Sequence, residues 1–303
     1  MTATVLNPSV VAQQYRDEVR RDVAAIAEGG KRLRILGLLG QSEGPAATYA
    51  RYARRGCEAV GIELDVRQVS PDQVESTIAR ANVDPDIDGL FLYYPLIDPA
   101  DDRWLRELVD PRKDVEGLHS FWSRLLYENQ RFVDSDHQQR TILPCTPLAI
   151  LKLLQHAGMR GSTGAAPLQG VTACVINRSD IVGRPLAAML ANDGARVHSL
   201  DLTGSVEFEP AIGRRAHDVR DSDVDRATAL GSADVVISAV PSPDFERIRG
   251  DEIRDGAICV NVAEHANFDD SALERASVFV PRVGPLTIAM ATRNLVRLAR
   301  MRG

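Results

Sequence analysis

The stretch that most constrains this chain is VTACVINRSDIVGRPLAAMLANDGARVHSLD, residues 171–201. An apolar run of strand length enters a short polar turn at 177–180. A helix is predicted over 181–191, Asn192-Asp193-Gly194 stops it, and a second strand ends on Asp201. The pattern repeats. RILGLLG (34–40), IELDVRQV (62–69) and GLFLYY (89–94) read as strands, with helices predicted over 46–60 and 72–81. ADVVISAV (233–240), GAICVNVA (256–263) and SVFVPR (277–282) bring the second half to five strand-like runs. Strands alternating with helices imply an α/β fold, a parallel sheet covered by helices on both faces.

At 303 residues the chain is long for one hydrophobic core, so two domains are expected: 1–146 with a returning C-terminal helix at 285–303, and 147–284. A helix is predicted over 147–157, followed by a Gly/Ser/Ala/Pro linker, GMRGSTGAAPLQG (158–170). The segment 203–230 reads as a polar excursion, DVRDSDVDRA (218–227) within it as a surface loop or helix cap, and ERIRGDEIRDG (246–256) as a solvated face. The basic end of the last helix suits a helix C-terminus.

The formal net charge of −6 is the opposite of the basic footprint that nucleic acid requires, and no apolar run approaches the ~18 residues of a membrane span. Four dispersed cysteines and an N-terminus without a basic-then-apolar leader fit a reducing, cytoplasmic setting. The six histidines show no ligand spacing, and no metal is expected.

The turn after the 171–176 strand is where a bound pyrophosphate would be stabilised, because a helix N-terminus presents unpaired N–H groups and the positive end of its dipole. Asn177, Arg178, Ser179, Ile181, Val182 and Gly183 are the candidates: Gly183 for close backbone approach, Arg178 for a phosphate, Ser179 or Asp180 as a cap. Asp201 follows at about the twenty-residue offset that puts a carboxylate on a ribose 2′-hydroxyl and repels a 2′-phosphate, which favours NAD over NADP. The GxGxxG consensus is absent, since Asn177 stands where its first glycine belongs. A βαβ unit that binds nothing is the alternative.

Motifs in both halves match one family in one order: GPAATYARYARRGCEAVGI (44–62), DGLFLYYPL (88–96), PRKDVEGL (111–118), ILPCTPLAI (142–150), VINRSDIVGRPLAAMLANDGA (175–195), ADVVISAVPS (233–242) and VGPLTIAM (283–290). The chain resembles the methylenetetrahydrofolate dehydrogenase/cyclohydrolase family, and most its fungal monofunctional NAD-dependent branch. The resemblance implies an N-terminal α/β folate-binding domain, a C-terminal Rossmann-type dinucleotide-binding domain, and an active site in the cleft between them. It implies 5,10-methylenetetrahydrofolate as substrate, NAD as hydride acceptor in one-carbon metabolism, and a homodimer formed through the Rossmann domains, whose apolar strand edges permit it.

Bifunctional members carry a YxxxK pattern whose lysine serves the cyclohydrolase step. Here the tyrosine falls on Tyr49 and the lysine position on Ala53; Arg51, Arg54 and Arg55 flank it, and the only lysines are Lys31, Lys113 and Lys152. Arginine stays protonated and cannot shuttle a proton, so dehydrogenase activity alone is expected. Tyr93 replaces a family glutamine, Glu116 an aspartate, Asn177 a glycine, and Arg282 a glycine pair.

The implied catalytic residues are Tyr49, Tyr93, Glu116 and Cys145. Tyr49 would be a face for the pterin, or a core tyrosine. Asp114 or Glu116 would accept from the pterin amino group, or both would cap the loop at Gly117. Cys145 would be a nucleophile or, more in keeping with hydride chemistry, a packing residue. Tyr94, Pro95, Pro285 and Thr287 join the substrate contacts, and Val240 and Pro241 the nicotinamide side of the cofactor. The competing readings are a bifunctional enzyme, an unrelated two-domain dehydrogenase, and a nucleotide-sensing protein that is no enzyme.

Overall fold

The computed structural model describes residues 2–98, 100–161, 166–211 and 217–302. The chain starts with a short strand β1 (Thr4–Val5) and a long helix α1 (Pro8–Glu28), then alternates β2 (Arg34–Leu39), α2 (Pro45–Glu58), β3 (Glu63–Gln68), α3 (Val74–Val83) and β4 (Gly89–Tyr93). Helices α4 (Asp102–Leu108), α5 (Ser120–Tyr127) and α6 (Cys145–His156) follow. The second series is β5 (Thr172–Ile176), α7 (Gly183–Asn192), β6 (Arg196–Asp201), β7 (Gly204–Pro210), β8 (His217–Ser222), α8 (Arg226–Ser232), β9 (Val235–Ser238), β10 (Ile258–Asn261), α9 (Asp270–Arg275), β11 (Val278–Val280) and α10 (Gly284–Arg302).

These elements form two compact units. One holds a three-stranded parallel sheet, order β3-β2-β4, and comprises Ala12–Leu125, Arg131–Cys145 and Thr287–Gly303. Its inner strand β2 and the edge strand β4 are buried apolar runs, with Leu36, Leu38, Leu90 and Leu92 packed against Val74 and Ile78 of α3 and Leu105 of α4, while the other edge strand β3 is mostly polar and exposed. Helix α2 buries Ala47, Ala50, Ala53 and Cys57, a helical stripe of small residues. At Gly56 an added Cβ would lie 2.5 Å from Ile288, so this glycine lets α10 pack close against α2.

The other unit comprises Met1–Val11, Leu126–Gln130 and Thr146–Leu286 and holds an eight-stranded sheet, order β1-β11-β10-β9-β5-β6-β7-β8. The six strands from β1 to β6 in that order are parallel; β7 and β8 add an antiparallel hairpin beside β6. The boundaries differ from those read in the sequence, because β1 pairs with β11 through Thr4↔Val278 and Val5↔Phe279 and so carries the N-terminus into this unit.

Two further expectations are corrected. The excursion at 203–230 contains the β7–β8 hairpin, whose polar alternation reflects an outlying antiparallel sheet, while Asp225 does cap α8 by accepting from the Thr228 N–H at 2.7 Å. The outer strand β8 (HDVRDS) carries His217, Asp218, Arg220 and Asp221, so this sheet edge is charged rather than apolar, a feature that discourages edge pairing. Residues 162–165 of the expected linker and 212–216 of the excursion lie outside the described residues. No described helix is long and apolar enough to cross a membrane.

Candidate active site

In the three-stranded unit the candidate residues gather around β4. Phe91 and Tyr93, two apart on one strand, stack at 4.7 Å and 15°, and Tyr49 of α2 meets both rings at 6.1 Å. The Tyr93 ring lies over Gly37 of β2, where an added Cβ would come within 2.9 Å of it. Tyr49 is half-buried. Tyr93 is only 2% exposed, with its ring edge-on to Tyr49. Burial raises the pKa of both phenols.

The loop after Lys113 is built by Asp114. Its Oδ1 accepts from the N–H groups of Glu116 and Gly117 at 3.1 and 3.0 Å, and its Oδ2 from those of Leu118 and His119 at 2.7 and 2.8 Å. Both oxygens are thus committed to the backbone, and a pterin contact is replaced by loop-capping, the alternative already open for this residue. Glu116 differs: its Oε2 accepts from the Leu92 N–H at 3.1 Å, and burial, then the neighbouring Asp114 carboxylate, raise its pKa well above the usual range, which favours the neutral acid.

Cys145 opens α6 with its thiol donating to the Val115 carbonyl at 3.2 Å and accepting from Asn294 Nδ2 at 3.4 Å. Burial foremost, then Glu116 and Asp114, push its pKa up, the opposite of what a nucleophilic thiolate needs; its catalytic assignment is corrected to a packing role. Asn294 of α10, which the sequence reading missed, also donates to the carbonyls of Val115 and Leu143, both at 3.0 Å, and so ties the loop and Cys145 together. Tyr94 is half-buried and packs against the core cluster of Leu36, Leu90 and Leu92. Pro95, in a cis peptide with Tyr94, is exposed, Pro285 is half-buried, and Thr287 is buried in the first turn of α10.

The lysines are elsewhere. Lys113 Nζ donates to the carbonyls of Ala81 and Asp84 at the C-terminus of α3, at 2.8 and 2.6 Å, and burial lowers its pKa. Lys31 pairs with Asp88 at 2.7 Å, and Lys152 Nζ donates to Gln155 at 3.0 Å. Ala53 sits 1% exposed in the buried stripe of α2.

In the eight-stranded unit, β6 lies on one side of β5 and β9 on the other, so the carboxyl ends of β5 and β9 flank the point where strand order reverses, the usual ligand crevice of such sheets. Asn177, directly after β5, has φ +85°, the left-handed region that glycine normally fills; its Oδ1 accepts from the Ser179 N–H at 2.9 Å. Asparagine therefore performs the turn expected of the missing first glycine. Ser179 Oγ accepts from the Val182 N–H at 3.3 Å, just before the start of α7.

Among the described residues the N–H groups of Ile181 and Gly183 have no acceptor, and they are available to anionic oxygens. Gly183 itself has a different task from the one expected: a Cβ there would sit 1.7 Å from the Asn177 carbonyl oxygen, so it is the residue that lets α7 pack against the turn. Arg178 also departs from expectation. Its backbone N–H donates to Asp201 Oδ2 at 2.6 Å, but its guanidinium reaches the β6–β7 hairpin rather than a phosphate position, through the Ser199 and Gly204 carbonyls and Thr203 Oγ1.

Val240 and Pro241 follow β9, and their position depends on Asn267, fully buried and unmarked by any sequence motif. Its Oδ1 accepts from Ser238 Oγ at 2.9 Å and the Val240 N–H at 3.1 Å, and its Nδ2 donates to the Val240 carbonyl at 3.1 Å. Asn261, at the end of β10, accepts from the Asn267 N–H at 2.8 Å. These asparagines hold the β9 and β10 ends at the crevice.

Residues 6–116 match the model of the tetrahydrofolate dehydrogenase/cyclohydrolase catalytic domain, and residues 144–210 match that family's NAD(P)-binding domain. A methylenetetrahydrofolate dehydrogenase [NAD(+)] of Schizosaccharomyces pombe is 37% identical over 97% of this chain and 92% of its own length. One of Dictyostelium discoideum is 36% identical over 95% and 91%. The structure of the NAD-dependent 5,10-methylenetetrahydrofolate dehydrogenase from Saccharomyces cerevisiae superposes with a TM-score of 0.93 at 35% identity, covering 99% of this chain and 98% of that one.

Proposed function

Because the chain belongs to the tetrahydrofolate dehydrogenase/cyclohydrolase family, we propose that it oxidises 5,10-methylenetetrahydrofolate to 5,10-methenyltetrahydrofolate with NAD and lacks the cyclohydrolase step. One observation carries the reading: Ala53 occupies the lysine position, and the chain's three lysines are bonded at the C-terminus of α3, at Asp88 and at Gln155.

Bound NAD supplies the hydride acceptor. Hydride departure from the methylene bridge leaves a cation shared by two nitrogens, so no general base is required of the protein, and positioning is the main task. Orientation of this kind is worth up to ~7–11 kcal/mol in well-aligned systems. Tyr49 offers its ring, braced by Phe91 and Tyr93, as a face for the pterin. Glu116, favoured as the neutral acid by burial, can donate one hydrogen bond to the pterin while its Oε2 stays on Leu92. The Asn177 turn and the amides of Ile181 and Gly183 suit a pyrophosphate, and Asp201 Oδ1, which has no hydrogen-bond partner among the described residues, suits a ribose hydroxyl. Hydrolysis of the product asks for a proton relay, and no side chain at position 53 can provide one.

The purified protein is expected to reduce NAD with methylenetetrahydrofolate and accumulate product absorbing as the methenyl form. Methenyltetrahydrofolate hydrolysis above the buffer rate would make the enzyme bifunctional, and a preference for NADP would overturn the role of Asp201. The same reading places the protein in the cytoplasm as a homodimer, which organelle fractionation and light scattering test.

A further inference from the structure

The tip of β6 presents a contradiction in charge. Asp201 is the residue type that selects an unphosphorylated ribose, while Arg178, the next residue in space, is the type that welcomes a 2′-phosphate. We infer that Thr203 and the turn it occupies decide the cofactor preference by withholding Arg178 from the 2′-position. The inference rests on the NAD reading above and explains how a chain with both residues can discriminate.

Arg178 is held at both ends by the same hairpin. Its backbone N–H donates to Asp201 Oδ2 at 2.6 Å. Its Nη1 donates to the carbonyls of Ser199 and Gly204 at 3.0 and 3.1 Å, and its Nη2 to Thr203 Oγ1 at 2.9 Å. All three guanidinium acceptors are neutral, so the arginine is fixed without forming an ion pair with Asp201. The hairpin that supplies the acceptors is tight: Asp201 pairs with Gly204 across the two residues Leu202 and Thr203, and Gly204 has φ +107°. A 2′-phosphate recruiting Arg178 would have to break these bonds while facing Asp201. Discrimination therefore has two separable parts, a carboxylate that repels and a cation that is kept away.

The separation can be measured by calorimetry with 5′-ADP and 2′,5′-ADP as probes on the full chain, without turnover. The wild type is expected to bind 5′-ADP more tightly. Asp201→Asn, which retains an acceptor for the Arg178 N–H, should improve 2′,5′-ADP binding by about tenfold by removing repulsion. Adding Thr203→Val, at an exposed position, removes the one bond to Nη2 while the two carbonyl bonds to Nη1 remain, and should give a further gain of about fivefold, the worth of one hydrogen bond. Thr203→Ser in the same background keeps the hydroxyl and should give no further gain, and Arg178→Gln added to the Asn/Val pair should abolish it.

Equal 2′,5′-ADP affinity of Asp201→Asn with and without Thr203→Val overturns the inference, as does a gain that survives Arg178→Gln; in both cases the NAD reading stands. A wild type that prefers 2′,5′-ADP overturns the NAD reading and this inference with it.

Discussion

The slot around Tyr49 and the tip of β6 handle ionisable groups in opposite ways. In the slot, burial raises Tyr49, Glu116 and Cys145, so each is favoured in its neutral, protonated form. At β6, Asp201 and Arg178 stay partly exposed, and each is fixed by hydrogen bonds to the turn after β5 or to the β6–β7 hairpin rather than by the other's charge. Under the proposed function, neutral surroundings suit a flat heterocycle whose bridge gives up a hydride. A charged tip suits a choice between two riboses that differ by a phosphate. One region works by shape and neutrality, the other by sign.

The comparison breaks most severely at Gly183. Alanine there would place Cβ 1.7 Å from a backbone oxygen of Asn177, which no rotamer can relieve. We expect Gly183→Ala to destabilise the eight-stranded unit by about 3 kcal/mol or more and to abolish ADP binding, read by calorimetric melting and titration. Asn267→Leu is next. It strips partners from Ser238 Oγ and from both backbone groups of Val240, and should cost about 2–3 kcal/mol in urea unfolding, with weaker NAD binding and unchanged folate binding. Loss of folate binding alone in this variant would show that the division of labour is drawn in the wrong place.

Cys145→Ala sharpens the other side. Losing the thiol's contacts with Val115 and Asn294 should cost about 1 kcal/mol and reduce kcat by less than about tenfold. Removing a true nucleophile costs several orders of magnitude, so a loss of that size would return Cys145 to the chemistry.

These variants also mark what the amino-acid sequence could and could not reveal. The alternation of strands and helices and the acid closing β6 were legible because periodicity and spacing are local. Asn177 was legible only as a departure from a glycine; its φ of +85° shows that asparagine can adopt the conformation the turn requires. Asp114 and Glu116, two residues apart, were indistinguishable as carboxylates, and only the fold shows four N–H groups converging on one of them. Asn267 and Asn294 carried no signal, since a buried asparagine is defined by the carbonyls and amides that distant segments bring to it. The β7–β8 hairpin was hidden because an outlying polar strand pair lacks the apolar runs of the central strands, and its sequence reads as a loop.

The smallest effect at low pH, and the most direct probe of the neutral slot, belongs to Glu116→Gln. Burial raises the pKa of Glu116 in the folded protein above its unfolded value, so its contribution to stability is complete below the ordinary glutamate value of about 4.3 and is lost as pH rises toward the folded value. Glutamine keeps an acceptor for the Leu92 N–H and cannot ionise. The two proteins should therefore unfold alike near pH 4, and the variant should become progressively the more stable as pH is raised, in urea titrations repeated across the range. A difference that stays flat, or that moves in favour of the wild type, would mean that Glu116 is ionised and well partnered in the native slot. The contrast between neutral groups around Tyr49 and charged groups at the tip of β6 would then give way to charge at both.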